Sequence, residues 1–588
     1  MNDEIPEALR SARRSLEELT SQIVSEDWIW DESIAEWCLP FTARIASADR
    51  IPEISSWVFA VSPAYPDGKV RIYPALNGGI EETYPHQSNN GLEEHGKYCR
   101  SGNVCLFTEN AEWALRGNAD FTLLSHAERF LEWIKAANEG SLMKTGDNLE
   151  FPMQNIRSNE SVLYCEDEVS KMIWDSHPAS CNGVVETIDD GLGHICLSDF
   201  YGADGYLVRA TGWGTTIERN AKKKDDLGIW FIASSVPHIR CWQSPNTYGE
   251  LREWANKEGL DIDSIIARNS SKLRDGLRHY LAIGVPCANV VGKAPDSLSW
   301  FIAKMPVFSE GKEFGKGGVH KKSVLKTVDR QKTFASTVEI DWITSANCAK
   351  DQIHSRGALC DKLTDSRVAL IGAGSLGSIV ANNLVRGGVT DLCIFDSDRF
   401  GIGNTTRHLL RTCDVGSNKA VAVASSLNAA TPMGQLEGRS AVDESNAESL
   451  KGFDVIIDCS SSPSVLAILD GLDGDHQLFV CSFGYAAEKV YISASSLNSF
   501  SLKNYYDTYG QMMREDATLV RSEKMPWEGI GCWSPVFPAK NSDVSRAASL
   551  VVDCLDCLVK QGKTGVSYAY ITKRDKDGVL LGIEREEL

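Results

Sequence analysis

The sharpest hydrophobic pattern in the chain is the run Val368-Ala-Leu-Ile371, four apolar residues closed by glycine. A run this short, ending on a turn residue, predicts a strand buried on both faces rather than a helix. Gly372, Gly374 and Gly377 follow as G-x-G-x-x-G, and Ser378-Ile-Val-Ala381 opens a helix that stops at Gly387-Gly388. A second apolar run, Leu392 to Phe395, ends on Asp396, and further strands are predicted at Phe453–Asp458 and Gln477–Ser482. This is a βαβ unit whose turn brings backbone N–H groups and a helix N-terminus to a phosphate.

The N-terminal part is patterned differently. Residues 1 to about 26 place Leu9, Leu16, Leu19 and Ile23 near helical spacing. Ser56 to Val61 and Val70 to Pro74 alternate around a Pro-Asp-Gly turn and predict a hairpin. Ser125 and Glu128 form a capping-box pattern ahead of an apolar helix. In the middle, strands are expected at residues 183–186, 194–197, 205–208 and 227–232, with helices at 247–257 and 273–281. Residues 309–332 are rich in Gly and Lys and predict an exposed crossing with no ligand.

At about 150 residues per domain, 588 residues predict three or four. We divide the chain into residues 1–155, a mixed α/β connector at 156–345, and the nucleotide-binding part at 346–588. The net charge of −20 argues against a general nucleic-acid binder or a binder of anionic membranes. The acidic start lacks the apolar core of a signal peptide, and no run approaches the roughly 20 apolar residues of a membrane span. A soluble, cytoplasmic protein is the expectation. Seventeen scattered cysteines are no disulfide framework. Cys554 and Cys557 make one C-x-x-C, half of a zinc site, without a second pair.

Several motifs resemble known families. The order helix, hairpin, Tyr84-Pro-His86, Ser101-Gly-Asn-Val-Cys105-Leu, helix resembles the ubiquitin-conjugating fold, and the resemblance implies that Cys105 carries an acyl group. His86-Gln-Ser88 stands where that family has His-Pro-Asn, leaving His86, Asn89 and Asn90 as candidates to assist amide formation and Cys99 as a competing thiol. The glycine loop, Asp396-Ser-Asp398, Asn404-Thr-Thr-Arg407 and Asp414-Val-Gly-Ser-Asn-Lys419 resemble the adenylating domain of ubiquitin-activating enzymes and their ThiF/MoeB relatives. That resemblance implies ATP: Gly372, Gly374 and Gly377 at the phosphates, Asp396 at the ribose, and Asn404, Arg407 and Lys419 along the phosphates. Fixed cations there stabilise the charge that adenylation develops.

Two departures stand out. His408 replaces the family's glutamine, and Ser461 takes the place of its magnesium-binding aspartate, which leaves Asp458, Asp398 or another carboxylate to hold Mg2+, or a compromised site. Cys532, in a Gly/Pro-rich loop before the helix predicted at Val544–Lys560, resembles the catalytic cysteine of activating enzymes.

Together these features resemble the fused activating/conjugating enzymes of CBASS antiphage operons. The resemblance implies a homodimer that adenylates the C-terminus of a cGAS-like nucleotidyltransferase. It then captures that C-terminus on Cys532, passes it to Cys105 and joins it to a lysine amine of a target. A ThiF/MoeB-like adenylyltransferase for a sulfur-carrier protein is the alternative. A catalytically dead scaffold marked by Ser461 is another, and a nicotinamide-dependent oxidoreductase would share only the glycine loop.

Overall fold

The structure is a computed structural model, and it describes residues 4–19, 21–46, 49–90, 94–107, 117–177, 181–221, 226–309, 322–522, 527–528, 534–535 and 538–588. The chain divides into two compact units. The first comprises residues 1–187, 199–210 and 225–346, and the second 188–198, 211–224 and 347–588.

In the first unit, a five-stranded sheet is built on the antiparallel meander Glu36–Arg44, Ile54–Val61 and Val70–Pro74, with Phe41 opposite Trp57 and Trp57 opposite Pro74. The helices Glu7–Leu19 and Ala119–Glu139 share its core, where Leu9, Leu16, Phe41, Trp57, Phe59 and Phe130 are all but fully buried. Phe130 meets Trp57 edge-on at 4.8 Å, a favourable aromatic geometry. The first helix is shorter than its hydrophobic spacing predicts. Ile23 leaves it and joins a short strand, Ile23–Ser25, that pairs antiparallel with Phe41–Ala43, so a tertiary pairing overrides the helical period. The Ser125–Glu128 capping box is not a helix start either. The helix is capped seven residues earlier, where the Asn118 side chain accepts from the Phe121 N–H (3.0 Å), because Leu123 and Ala127 extend the same buried face.

The rest of this unit is organised on an eight-stranded mixed sheet. Tyr280–Cys287 runs parallel to Asp226–Ile232 and antiparallel to Ser297–Lys304. The helix predicted at 247–257 is present as Tyr248–Lys257. The one predicted at 273–281 is not: Gly276 turns the chain at φ +86° and Tyr280 already starts the buried strand. Tryptophans 174, 230 and 300 pack together around Glu166, whose carboxylate accepts from the Trp174 and Trp300 indole N–H groups at 2.9 and 3.0 Å.

The second unit carries another eight-stranded sheet. Its spatial order is Gln435–Arg439, Asp391–Phe395, Val368–Ile371, Val455–Asp458, Gln477–Phe483, Lys489–Ser496, Val566–Arg574, Leu580–Glu587. The first five strands are parallel and the last three join antiparallel. Val368–Ile371 is the first strand laid down, with later strands on both sides of it, so the strand order reverses there. In a parallel α/β sheet the crevice beyond the carboxyl ends at such a switch point is the ligand position. No helix among the described residues is long and apolar enough to cross a membrane.

Candidate functional site

The turn after Ile371 is wedged between the two neighbouring strand ends. The Gly372 N–H donates to Phe395 O (2.8 Å) and the Cys459 N–H to Ile371 O (2.8 Å). Gly372 has φ +90°, and a Cβ on it would meet the Ser460 backbone at 2.8 Å. A Cβ on Gly377 would meet Gly372 O at 1.9 Å, whereas one on Gly374 would meet nothing within 4 Å. Two of the glycines therefore let backbone pack on backbone, and the third faces open space. Gly374 is also the N-cap of the helix Ser375–Arg386, with no side chain capping it. Its first-turn N–H groups face an anion's natural position.

Asp396 braces this turn. Its carboxylate accepts from the Ala373 N–H and from the Asp398 N–H, both at 2.7 Å, which leaves lone pairs on both oxygens for a further donor such as a hydroxyl. His408 braces it from the other side: Nε2 donates to Ala373 O (2.7 Å) while Nδ1 accepts from the Leu410 N–H (3.1 Å). Burial, with Lys419 nearby, lowers the affinity of this imidazole for a second proton, so His408 works as a neutral brace.

Asn404 accepts from the Gly401 N–H (2.9 Å) and fixes the short 3-10 turn Ile402–Thr406. Arg407 follows directly, with Nη1 donating to Ala539 O (3.4 Å). Lys419 opens the helix Lys419–Asn428, its backbone N–H bonded to Asp398 O (2.9 Å). The largely buried Lys419 ammonium pairs with the exposed Asp398 carboxylate at 2.8 Å.

Asp458 ends the strand beside Gly372. One carboxylate oxygen accepts from the Ser460 N–H (3.0 Å) and hydroxyl (2.6 Å); the other is buried without a hydrogen-bond partner. Burial pushes its pKa from 3.8 up to about 6. An orphaned carboxylate oxygen fits Mg2+, which commonly takes one or two protein carboxylates and completes its shell with phosphates and water. Ser461 sits at φ +52° and is exposed. It lines a 290 Å³ cavity with Ser482, Gly484, Tyr485, Tyr505 and Tyr506. The sequence reading missed this aromatic cavity, whose tyrosines come from segments with no motif around them.

In the first unit, Cys105 lies in an exposed loop. Its N–H donates to His86 O (2.8 Å), and Val104 bridges Gln87 antiparallel. Cys99 is a poor competitor: it is buried, and the neighbouring Cys38 and desolvation push its thiol far up. Of the candidates to assist amide formation, Asn90 is spent on the fold, its side-chain nitrogen donating to Ile80 O (2.8 Å) and Glu82 O (3.0 Å). His86 is half-exposed and holds Glu150 at 2.8 Å, a bond that raises its pKa above the usual histidine value. Asn89 presents a buried, unpartnered Oδ1. In the second unit Cys481 is fully buried beside Cys459 and its thiol is likewise pushed up. Cys532 lies outside the described residues.

A glycine turn at the switch point of a parallel sheet, an acidic strand end, and an arginine and a lysine on the following turns define a ThiF-type adenylating domain. Residues 345–472 match the ThiF family, and residues 140–348 match the family described as the Cap2 central linker domain. The chain is 30% identical over 535 residues to the ATP-dependent ubiquitin transferase-like protein Cap2 of Enterobacter hormaechei subsp. hoffmannii, covering 87% of this chain and 88% of that one. It therefore belongs to the Cap2 family of ATP-dependent ubiquitin transferase-like proteins, and it carries an ATP-using, ubiquitin-activating-type domain. Ubiquitin-like modifier-activating enzyme 5 of Drosophila sechellia is 28% identical over 107 residues, 18% of this chain and 26% of that protein. A crystal structure of E. coli MccB with ATP covers 39% of this chain and 65% of that one at 14% identity, with a TM-score of 0.28.

Proposed function

We propose that this protein activates the C-terminus of a polypeptide with ATP and transfers it through two cysteines to an amine. The substrate carboxylate attacks the ATP α-phosphate, forming an acyl adenylate and releasing pyrophosphate. Arg407 and Lys419 stabilise the negative charge that grows on the phosphates, and Lys419 exchanges its Asp398 partner for phosphate oxygen. The Gly374 helix N-terminus and the open face of the turn receive phosphate, and Asp396 receives the ribose hydroxyls. The orphaned Asp458 oxygen would hold Mg2+, which would neutralise phosphate charge when bound. The Cys532 thiolate displaces AMP to give a thioester, and Cys105 accepts the acyl group by transthiolation. An amine, such as a target lysine, then attacks that thioester and releases the Cys105 thiol. Splitting one difficult amide synthesis into activated acyl transfers is the gain of covalent catalysis.

The observation that carries this reading is that one chain joins the adenylating turn to an exposed cysteine loop, at Cys105, of conjugating-enzyme pattern. A ThiF/MoeB-type adenylyltransferase for a sulfur carrier has no use for the second feature. The family resemblance further suggests a cGAS-like nucleotidyltransferase as the activated polypeptide, a role in CBASS antiviral defence, a homodimer formed through the adenylating domain, and the division 1–155, 156–345 and 346–588.

The test is adduct trapping. The protein is isolated from its native cell without reductant and analysed by mass spectrometry for thiol-sensitive acyl adducts. Cys532→Ala abolishes every such adduct; Cys105→Ala retains the one on Cys532 and loses transfer. An adduct on Cys105 that survives Cys532→Ala refutes the order of transfer. ATP–pyrophosphate exchange dependent on a polypeptide C-terminus excludes a dead scaffold.

A further inference from the structure

Beside the Cys105 loop, within the first unit, lies a cleft of 560 Å³ lined by Ser88, Asn89 and Ser101 on one side and by Gln154, Asn246 and Glu250 on the other. Its charges are already matched. Arg240 holds Glu250 at 3.0 Å and Arg157 holds Glu339. Glu250 also accepts from the Asn246 and Thr247 N–H groups at 2.8 and 3.3 Å. What is unmatched is neutral. Asn89 Oδ1, Gln154 Nε2 and Asn246 Oδ1 are each buried without a hydrogen-bond partner among the described residues. Buried amide atoms are nearly always paired in folded proteins; these three are closed to solvent, and small rotations of the side chains that line the cleft would turn them toward a ligand there.

The chemistry selects the ligand class. An anion would face two glutamates and two amide oxygens, and a cation would face two arginines. Two acceptors and one donor in a neutral cleft match the alternating N–H and C=O groups of an extended polypeptide.

The cleft also lies on the right side of the loop. Val104 and Gln87 bridge each other and both are buried. In extended backbone, alternate side chains face opposite ways, so Cys105 and Ser88 turn outward together, and both are exposed. Ser101, on the cleft wall, donates to Asn89 O (2.8 Å). The four residue steps from Ser101 to Cys105 span at most about 14 Å even when fully extended.

The geometry points to a binding cleft for the last residues of the acyl chain carried on Cys105: an extended, uncharged segment of about four residues, gripped by Asn89, Gln154 and Asn246. Gln154 and Asn246 lie in the part that matches the linker family, which gives that part a role in holding substrate. The inference rests on the reading that Cys105 carries a polypeptide acyl group.

The test tethers a peptide in place of the thioester. The full-length protein is equilibrated in a fixed thiol–disulfide buffer with the symmetric disulfide of acetyl-Ala-Ser-Leu-Ala-Gly coupled at its C-terminus to cysteamine, or with that of acetylcysteamine alone, so that Cys105 exchanges with the disulfide and releases one thiol. Disulfide formation at Cys105 is quantified by mass spectrometry of its tryptic fragment. The peptide thiol is expected to tether about tenfold better than acetylcysteamine. Asn246→Trp, which fills the cleft, and the Gln154→Ala/Asn246→Ala pair, which removes two of the three amides, bring that ratio to one. Acetylcysteamine tethers equally to all three proteins, as it must if fold and thiol exposure are intact. Peptides with Asp or Lys at alternate positions tether no better than acetylcysteamine. A wild-type ratio of one overturns the cleft, as does a tenfold ratio unchanged in both variants. Failure of the acyl-transfer reading shows separately, as absence of any Cys105 acyl adduct from native cells while the tethering ratio persists.

Discussion

Replacing Asp458 by Asn isolates the energetic cost of keeping one ionised carboxylate buried at the nucleotide turn. Asp458 is fully buried, and one of its oxygens has no partner. Its pKa rises from 3.8 to about 6 because burial disfavours the charged form. The folded state therefore holds this proton more tightly than the unfolded chain, and stability from this group is full below the unfolded pKa. It is lost as pH rises through about 6 and is constant above. A difference of about two pH units corresponds to about 3 kcal/mol. Asn cannot ionise, so the variant carries none of this pH dependence. It retains an oxygen to accept from Ser460 and buries an unpaired amide nitrogen instead, at a pH-independent cost of about 1 to 3 kcal/mol. The difference in unfolding free energy, variant minus wild type, should thus shift toward the variant by about 2 kcal/mol between about pH 4.5 and about pH 7.5. Urea unfolding followed by hydrogen exchange of the Val455–Asp458 strand reads this difference directly. A shift below about 0.5 kcal/mol, or one of opposite sign, would refute the assignment of a strained, ionised carboxylate here. The same variant is expected to lose most Mg2+-dependent pyrophosphate exchange, because the orphaned oxygen is the proposed metal contact.

Other perturbations have outcomes as definite. Arg209→Met removes the guanidinium 3.5 Å from the fully buried Glu166 carboxylate and should destabilise the first unit by about 3–5 kcal/mol in urea titrations read by tryptophan fluorescence. Adding Glu166→Gln should recover most of that loss, and a single variant as stable as wild type would show that Arg209 does not hold the carboxylate. Gly377→Ala drives a methyl into Gly372 O and should weaken ATP binding at least about tenfold by calorimetry, whereas Gly374→Ala leaves the backbone of the turn unmoved. Lys419→Met should lower pyrophosphate exchange by about a hundredfold, since one fixed donor to developing charge is removed. An equal loss in Asp398→Asn would mean that the pair, rather than the lysine, matters.

The glycine turn, its acidic strand end and the arginine and lysine that follow were legible in the sequence because a phosphate-binding turn is local: each requirement falls on a residue type at a fixed offset. The Cys105 loop was legible for the same reason. The fold's parallel strands were readable from short apolar runs, since both their faces are buried. What the sequence left open depends on residues far apart in the chain. Ile23 becomes a strand only because Ala43 is there to pair with it. Ser125 lies inside a helix because the core continues past it, and Tyr280 starts a strand because two partner strands receive it. His408 was visible as a departure, but only the packed turn shows its imidazole making a bracing bond to Ala373. The orphaned oxygen of Asp458 and the unpaired amides of Asn89, Gln154 and Asn246 have no signature in sequence at all. Whether a polar group is satisfied is decided by every atom that comes within about 3 Å of it, and only the tertiary structure assembles that list.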